Sequence, residues 1–110
     1  MMTFEEYQKK SKTTAVYPNV GNNVTYPALG LGGETGEVLE KIKKVIRDSD
    51  GKFDHNTKPG IAKEIGDVLW YAAQLCNELG LDMGLIAQQN LEKLISRKNR
   101  NKLHGMGDNR

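Results

Sequence analysis

Hydrophobic residues recur along the chain at the three- and four-residue intervals of amphipathic helices, and no stretch alternates as a half-buried strand would. The first predicted helix begins after Thr3, which has Glu6 at the spacing of a capping box, and it runs to about Lys12. The second helix is predicted over residues 28–47. Its expected buried stripe consists of Leu31, Val38, Ile42 and Val45.

Two further helices are predicted in the second half of the chain. Pro59 suits the first turn of the third helix, because the N–H groups of that turn have no partner within a helix. Gly80 is expected to end this helix after Leu79, and Asp82 is expected to cap a fourth helix over residues 83–97. The expected core side of the third helix consists of Ile61, Ile65, Val68, Leu69, Ala72, Cys76 and Leu79. The less regular buried face of the fourth consists of Leu85, Ile86, Gln89, Leu91 and Leu94.

The connections between these helices predict the fold. Residues 17–27 carry two prolines, a glycine and three asparagines, and they are predicted to form a loop. Short connections between amphipathic helices favour an all-α fold, an antiparallel four-helix bundle-like core. We divide the chain into an N-terminal helix and loop (1–25), a helical core (26–100) and a basic, flexible C-terminal tail (101–110). The apolar stripes are broad but few, so self-association is expected.

Composition excludes several classes of protein. The chain has 110 residues, the size of one domain, and a formal net charge of +2, which argues against a polycation built to bind nucleic acid. Its single cysteine, Cys76, cannot form an internal disulfide. No apolar run approaches the ~20 residues needed to cross a bilayer, and the polar N-terminus does not resemble a secretory signal. We therefore expect a cytoplasmic protein.

Four acidic residues form two helical pairs of equal spacing. Glu34 and Glu37 lie three apart on the second helix, and Glu64 and Asp67 lie three apart on the third. Residues at this spacing occupy neighbouring turns, and each pair borders the apolar stripe of its helix. If the two helices pack antiparallel, both pairs can meet across the contact. A cluster of this kind either raises its pKa values or holds a hard divalent cation such as Mg²⁺ or Mn²⁺.

The same spacing is also typical of solvated helix surfaces. Glu37 and Lys41, four apart, form a favourable surface ion pair. Gly32, Gly33 and Gly36 each cost helix stability of about 1 kcal/mol relative to alanine, and they would let a ligand or another helix approach the backbone. From the residues alone, a metal site and a solvated helix surface are equally good interpretations of the two acidic pairs.

The two pairs and their flanks resemble the MazG family of nucleoside triphosphate pyrophosphohydrolases, within the all-α NTP pyrophosphatase superfamily. The family pattern is E-E-x-x-E followed, after a spacer, by E-x-x-D, and this chain has G-E-T-G-E at 33–37 and E-I-G-D at 64–67. The resemblance covers roughly residues 26–100 and includes N-L-E-K-L-I-S-R at 90–97. Gly33 stands where the family has its first acid, so this chain lacks one carboxylate that could orient or activate water.

The resemblance implies hydrolysis of a nucleoside triphosphate between its α and β phosphates, giving a monophosphate and pyrophosphate. It implies Mg²⁺, or Mn²⁺, as the cofactor. The catalytic and metal-binding residues it implies are Glu34, Glu37, Glu64 and Asp67. It places nucleotide or phosphate contacts at Asn90 and Lys93. Arg97 is a further candidate cation, and Tyr71, on the same side of its helix as Asp67, is a candidate to border the base, with core packing as the alternative.

The expected partners are the nucleotide substrate and further copies of the chain, as a dimer or a tetramer, without membrane or nucleic acid. Two other functions stay open. One is a phosphoribosyl-ATP pyrophosphohydrolase-like enzyme, which shares the fold and the chemistry. The other is a helical module that binds RNA or protein without catalysis.

Overall fold

A computed structural model describes all 110 residues and contains four helices and no strands, which confirms the all-α prediction. The helices are α1 (Phe4–Lys12), α2 (Thr25–Asp48), α3 (Lys58–Leu79) and α4 (Met83–Asn99). None of them combines the length and the apolar character needed to span a membrane.

Several helix ends form as their sequences predict. The Thr3 hydroxyl accepts a hydrogen bond from the Glu6 amide at 3.1 Å, and the Glu6 carboxylate accepts one from the Thr3 amide, which completes the capping box. The Asp82 carboxylate accepts a hydrogen bond from the Leu85 amide at 3.1 Å. Gly80 has a φ of 66°, a left-handed conformation that glycine adopts without strain. These local signals determine where α1 begins, where α3 ends and where α4 begins.

The start of α2 differs from the prediction. The helix begins at Thr25 rather than at Ala28, so the prediction of a loop through Pro27 is wrong for its last residues. The side-chain oxygen of Asn23 accepts a hydrogen bond from the Tyr26 amide at 3.0 Å and starts the helix early. Pro27 falls in the first turn, where its missing N–H removes no helical hydrogen bond.

α2 and α3 pack against each other in an antiparallel register. At one end, the Asn23 amide donates a hydrogen bond to the Glu78 carboxylate at 2.7 Å. Seven residues further along the chain, Gly30 lies against the ring of Tyr71, which is seven residues before Glu78. Each step toward the C-terminus of α2 is thus matched by an equal step toward the N-terminus of α3. This register decides which side chains of the two helices face each other.

α1 and α4 join this pair through polar contacts at one corner. The buried Gln74 side chain donates a hydrogen bond to the Ser11 hydroxyl at 2.9 Å, which fastens α1 to α3. The Gln8 side chain donates to the Asn77 side chain and accepts from the Met83 amide, both at 2.9 Å. Gln8 therefore ties α1 to the end of α3 and the start of α4.

Much of the predicted core is exposed in the single chain. Ile65 and Leu79, predicted on the core side of α3, are 54% and 50% exposed. The predicted buried face of α4 is likewise exposed at Leu85, Ile86, Gln89, Leu91 and Leu94. The physical reason is that α4 packs mainly on α1, and no helix of the same chain covers the outer side of the α2–α3 pair. Periodicity identifies an apolar face but does not say what covers it.

Candidate metal centre

Three of the four predicted acids come together where α2 packs on α3. One carboxylate oxygen of each of Glu34, Glu64 and Asp67 lies within 4.8 Å of the other two. The helix register explains this convergence, because Glu34 comes four residues after Gly30 and Asp67 comes four residues before Tyr71, the partner of Gly30. We call these three side chains the acid cluster.

Glu37 is not part of the acid cluster. Its side chain is exposed and offers no oxygen to the group of three. Its negative charge is nevertheless close enough to act on Glu34 and contributes to the raised pKa of that residue. The structure therefore places Glu37 at the rim of the acid cluster.

The acid cluster carries negative charge with little compensation. Burial, and then the charges of Asp67, Glu64 and Glu37, raise the pKa of Glu34 above its ordinary value. Neither Glu34 nor Asp67 forms an ion pair with a basic residue, and Glu64 has only Lys41, whose Nζ lies 4.0 Å from its Oε1. The three carboxylates thus converge at the helix contact, where Glu34 and Glu64 are partly buried and Asp67 is exposed, and lysines and arginines do not neutralise them.

The donor set of the acid cluster fits a hard divalent cation. It supplies only carboxylate oxygens, with no histidine or cysteine in the group. Mg²⁺ prefers oxygen ligands and keeps several waters, and two ligands on one such ion lie about 3 to 4 Å apart. The spread of 4.8 Å is close to that range. Small rotations of the carboxylates would therefore suffice to share one ion.

The glycines near the acid cluster have two different environments. A Cβ added at Gly32, Gly33 or Gly36 would meet no atom within 4 Å, so no helix of this chain approaches them closely. A Cβ added at Gly30 would lie 2.1 Å from Cε1 of Tyr71. The close approach that requires glycine is therefore at position 30, one turn before Glu34.

Aromatic rings continue from the acid cluster toward the start of α2. Tyr71 lies one turn after Asp67, with its ring centroid 6.4 Å from that of Tyr26. Tyr26 stacks on Tyr17 at 4.9 Å, with 10° between the ring planes. The sequence predictions include Tyr71 but not Tyr26, although Tyr26 lies four residues before Gly30 and so shares its side of α2.

The predicted substrate contacts on α4 lie on the part of the helix that meets the C-terminal tail. Lys93 Nζ lies 3.8 Å from Oδ1 of Asp108, and Arg97 Nη2 lies 3.9 Å from the same oxygen. Arg97 is buried and also donates a hydrogen bond to the Asp108 carbonyl, whereas Asn90 is exposed. In this chain the two cations therefore pair with Asp108 and not with the acid cluster.

Four helices and an acid cluster shared by α2 and α3 describe a helical protein with a candidate divalent-cation site. The family model of the MazG nucleotide pyrophosphohydrolase domain matches residues 25–101, and the chain belongs to this family. The resemblance predicted over roughly residues 26–100 is confirmed. The chain is also 41% identical, over 114 aligned positions, to the Gene 37 protein of Mycobacterium phage L5, covering 99% of this chain and 100% of that relative. No solved structure matches significantly.

Proposed function

We propose that this protein is a Mg²⁺-dependent nucleoside triphosphate pyrophosphohydrolase, which cleaves between the α and β phosphates to give a monophosphate and pyrophosphate. The observation that carries the proposal is the convergence of Glu34, Glu64 and Asp67 within 4.8 Å. Membership of the MazG nucleotide pyrophosphohydrolase family supports the class of reaction.

In this proposal, Glu34, Glu64 and Asp67 hold the divalent ion, and Glu37 contributes from the rim. When bound, the ion would neutralise charge on the phosphate oxygens and lower the pKa of a coordinated water. Lys41, which is half exposed beside Glu64, is placed to contact a phosphate oxygen and balance the charge of the leaving pyrophosphate.

The proposed α4 contacts, Asn90, Lys93 and Arg97, would bind phosphate after Asp108 is displaced. A polyphosphate carries several negative charges, whereas Asp108 offers one carboxylate that is 90% exposed, so the substrate competes well for both cations. In a dimer or tetramer, α4 of one copy would approach the α2–α3 pair of another. The exposed apolar residues of both elements support such an assembly.

The proposal is tested by product analysis. The protein is incubated with ribonucleoside and deoxyribonucleoside triphosphates and phosphoribosyl-ATP in the presence of Mg²⁺, and the products are separated by ion chromatography. We expect pyrophosphate and the nucleoside monophosphate in equal amounts from at least one triphosphate. Orthophosphate alone would contradict the cleavage position. Turnover of phosphoribosyl-ATP only would assign the alternative substrate, and no turnover of any compound would favour a binding module.

A further inference from the structure

The side of α2 that carries Glu34 continues to Tyr26. Tyr26, Gly30 and Glu34 follow one another at intervals of four residues, so they lie along one side of the helix. On α3, Tyr71 and Asp67 face this line in the antiparallel register. The acid cluster and the tyrosine rings therefore belong to one continuous surface along the α2–α3 contact.

The Tyr26 ring is supported by the buried ring of Tyr17 and by the loop that leads into α2. Tyr17 is only 7% exposed, and it stacks in a nearly parallel orientation on Tyr26. The Tyr17 hydroxyl donates a hydrogen bond to the Glu78 carboxylate at 3.0 Å. The same carboxylate accepts hydrogen bonds from the amides of Gly21 and Asn23, at 2.8 and 2.7 Å. Glu78 thus fixes the loop that leads into α2, and with it the orientation of the Tyr17–Tyr26 stack.

Tyr26 combines this support with an accessible surface. Its side chain is 41% exposed, although Tyr17 covers one side of its ring. Tyr71 fills the space beside it that the missing side chain of Gly30 leaves open. A rigid, partly exposed ring of this kind is suited to stacking a planar ligand.

The distance between Tyr26 and the acid cluster matches the extent of a nucleotide. Eight residues separate Tyr26 from Glu34, which corresponds to a rise of about 12 Å along a helix. A nucleoside triphosphate with its phosphates at the acid cluster would extend its base along α2 over a comparable distance. The base would then reach the tyrosine rings.

We propose that the exposed surface of Tyr26 is the stacking platform for the nucleobase of the substrate. This inference rests on the proposed function and deepens it, because it assigns the part of the ligand that the acid cluster does not contact. The platform would make the protein bind nucleotides more tightly than inorganic polyphosphates. Stacking is tolerant of base identity, so Tyr26 would contribute affinity for any base.

The test compares two ligands by isothermal titration calorimetry in Mg²⁺. One is a set of four α,β-methylene deoxynucleoside triphosphates, which resist cleavage between those phosphates, and the other is inorganic tripolyphosphate. The variants are Tyr26→Leu, which removes the ring, and Tyr26→Phe, which keeps it. Phe4→Leu is the matched control, because Phe4 is similarly exposed at 46% but lies on α1, outside the α2–α3 contact.

We expect Tyr26→Leu to weaken nucleotide binding by roughly 5- to 150-fold and to leave tripolyphosphate binding within about twofold of the unchanged protein. Tyr26→Phe and Phe4→Leu should bind both ligands normally. Unchanged nucleotide affinity in Tyr26→Leu, or an equal loss for both ligands, would overturn the platform and leave the proposed function standing. If the unchanged protein binds neither ligand, the proposed function fails and the platform fails with it.

Discussion

At the scale of single residues, the acid cluster holds carboxylate groups so close together that their negative charges repel one another. Two unit charges 4.8 Å apart repel by about 3 kcal/mol at an effective dielectric constant of about 20, before screening by solvent. On the same scale, the one compensating ion pair, Lys41 with Glu64 at 4.0 Å, contributes about 4 kcal/mol, whereas the three acids make three repelling pairs. Repulsion therefore outweighs compensation, and a divalent cation would reverse the balance.

Replacing one member of the acid cluster tests this balance. We expect Glu64→Gln to leave the thermal stability of the metal-free protein equal or higher, because the lost repulsion exceeds the lost Lys41 ion pair. We expect turnover to fall by at least about 100-fold, since a proposed metal ligand is removed. Glu40→Gln is the control, because Glu40 pairs with Lys43 on the exposed side of α2 and should leave turnover unchanged. A strongly destabilised Glu64→Gln protein would instead indicate a structural acid.

The raised pKa of Glu34 makes the effect of Mg²⁺ depend on pH. In the folded, metal-free protein, this carboxyl holds its proton to higher pH than in the unfolded chain. Its destabilising contribution is therefore absent below the unfolded pKa of about 4.3, grows as pH rises from there toward the folded pKa, and is complete above the folded pKa. Mg²⁺ must also displace that proton to bind at low pH. We expect a larger Mg²⁺-induced rise in melting temperature at pH 7.5 than at pH 5, and an equal or larger rise at pH 5 would contradict the assignment.

At the scale of the elements, the sequence predicts the helices well because their signals are local. The capping box at Thr3, the left-handed Gly80 and the cap at Asp82 each depend on a few neighbouring residues. The early start of α2 is harder to predict from the sequence. It depends on the Asn23 side chain, which also donates a hydrogen bond within the preceding loop. The sequence predicts that Pro27 precedes the helix, whereas it lies inside the first turn of α2.

The acid cluster was only partly predictable for a related reason. Equal spacing on two helices indicates that Glu34, Glu64 and Asp67 can meet. Whether Glu37 joins them depends on the rotation of α2 about its axis, which is set by packing against α3. That packing depends on Tyr71 entering the space over Gly30, a contact between residues 41 positions apart that periodicity does not encode.

The Gly30–Tyr71 contact gives a prediction at this scale. A methyl group at position 30 would lie 2.1 Å from the tyrosine ring, so Gly30→Ala must shift α2 or the ring. We expect a loss of about 1 to 3 kcal/mol in the free energy of unfolding, as in other overpacked contacts. Gly32→Ala is the matched control, because its Cβ meets nothing and the gain in helix propensity should stabilise by up to about 1 kcal/mol. If denaturant unfolding shows that Gly30→Ala is as stable as Gly32→Ala, or more stable, the register of α2 against α3 described above is refuted.

At the scale of the whole molecule, the single chain buries few of its apolar residues. The outer side of the α2–α3 pair carries an apolar groove lined by Ile42, Phe53, Lys58, Ile61, Ala62 and Ile65. The apolar residues of α4 are exposed as well. Apolar patches of this extent mark interaction surfaces, and a second copy of the chain is the occupant we propose.

The proposed assembly predicts a measurable mass. Size-exclusion chromatography with light scattering should give two or four times the chain mass of 12.3 kDa at micromolar concentration. Ile65→Lys places a charge in the groove and should shift the protein toward the monomer. Val16→Lys, at a loop position that is 91% exposed, should leave the mass unchanged. A monomeric unchanged protein at these concentrations would rule out the assembly.

If α2 and α3 together form a binding site for a divalent cation, a calorimetric titration of Mn²⁺ into the metal-free protein should detect it. We expect saturable binding of one ion per chain, with an affinity that falls by about tenfold or more in Asp67→Asn. Absence of Mn²⁺ binding, or an affinity that Asp67→Asn leaves unchanged, would show that these carboxylates do not form a cation site.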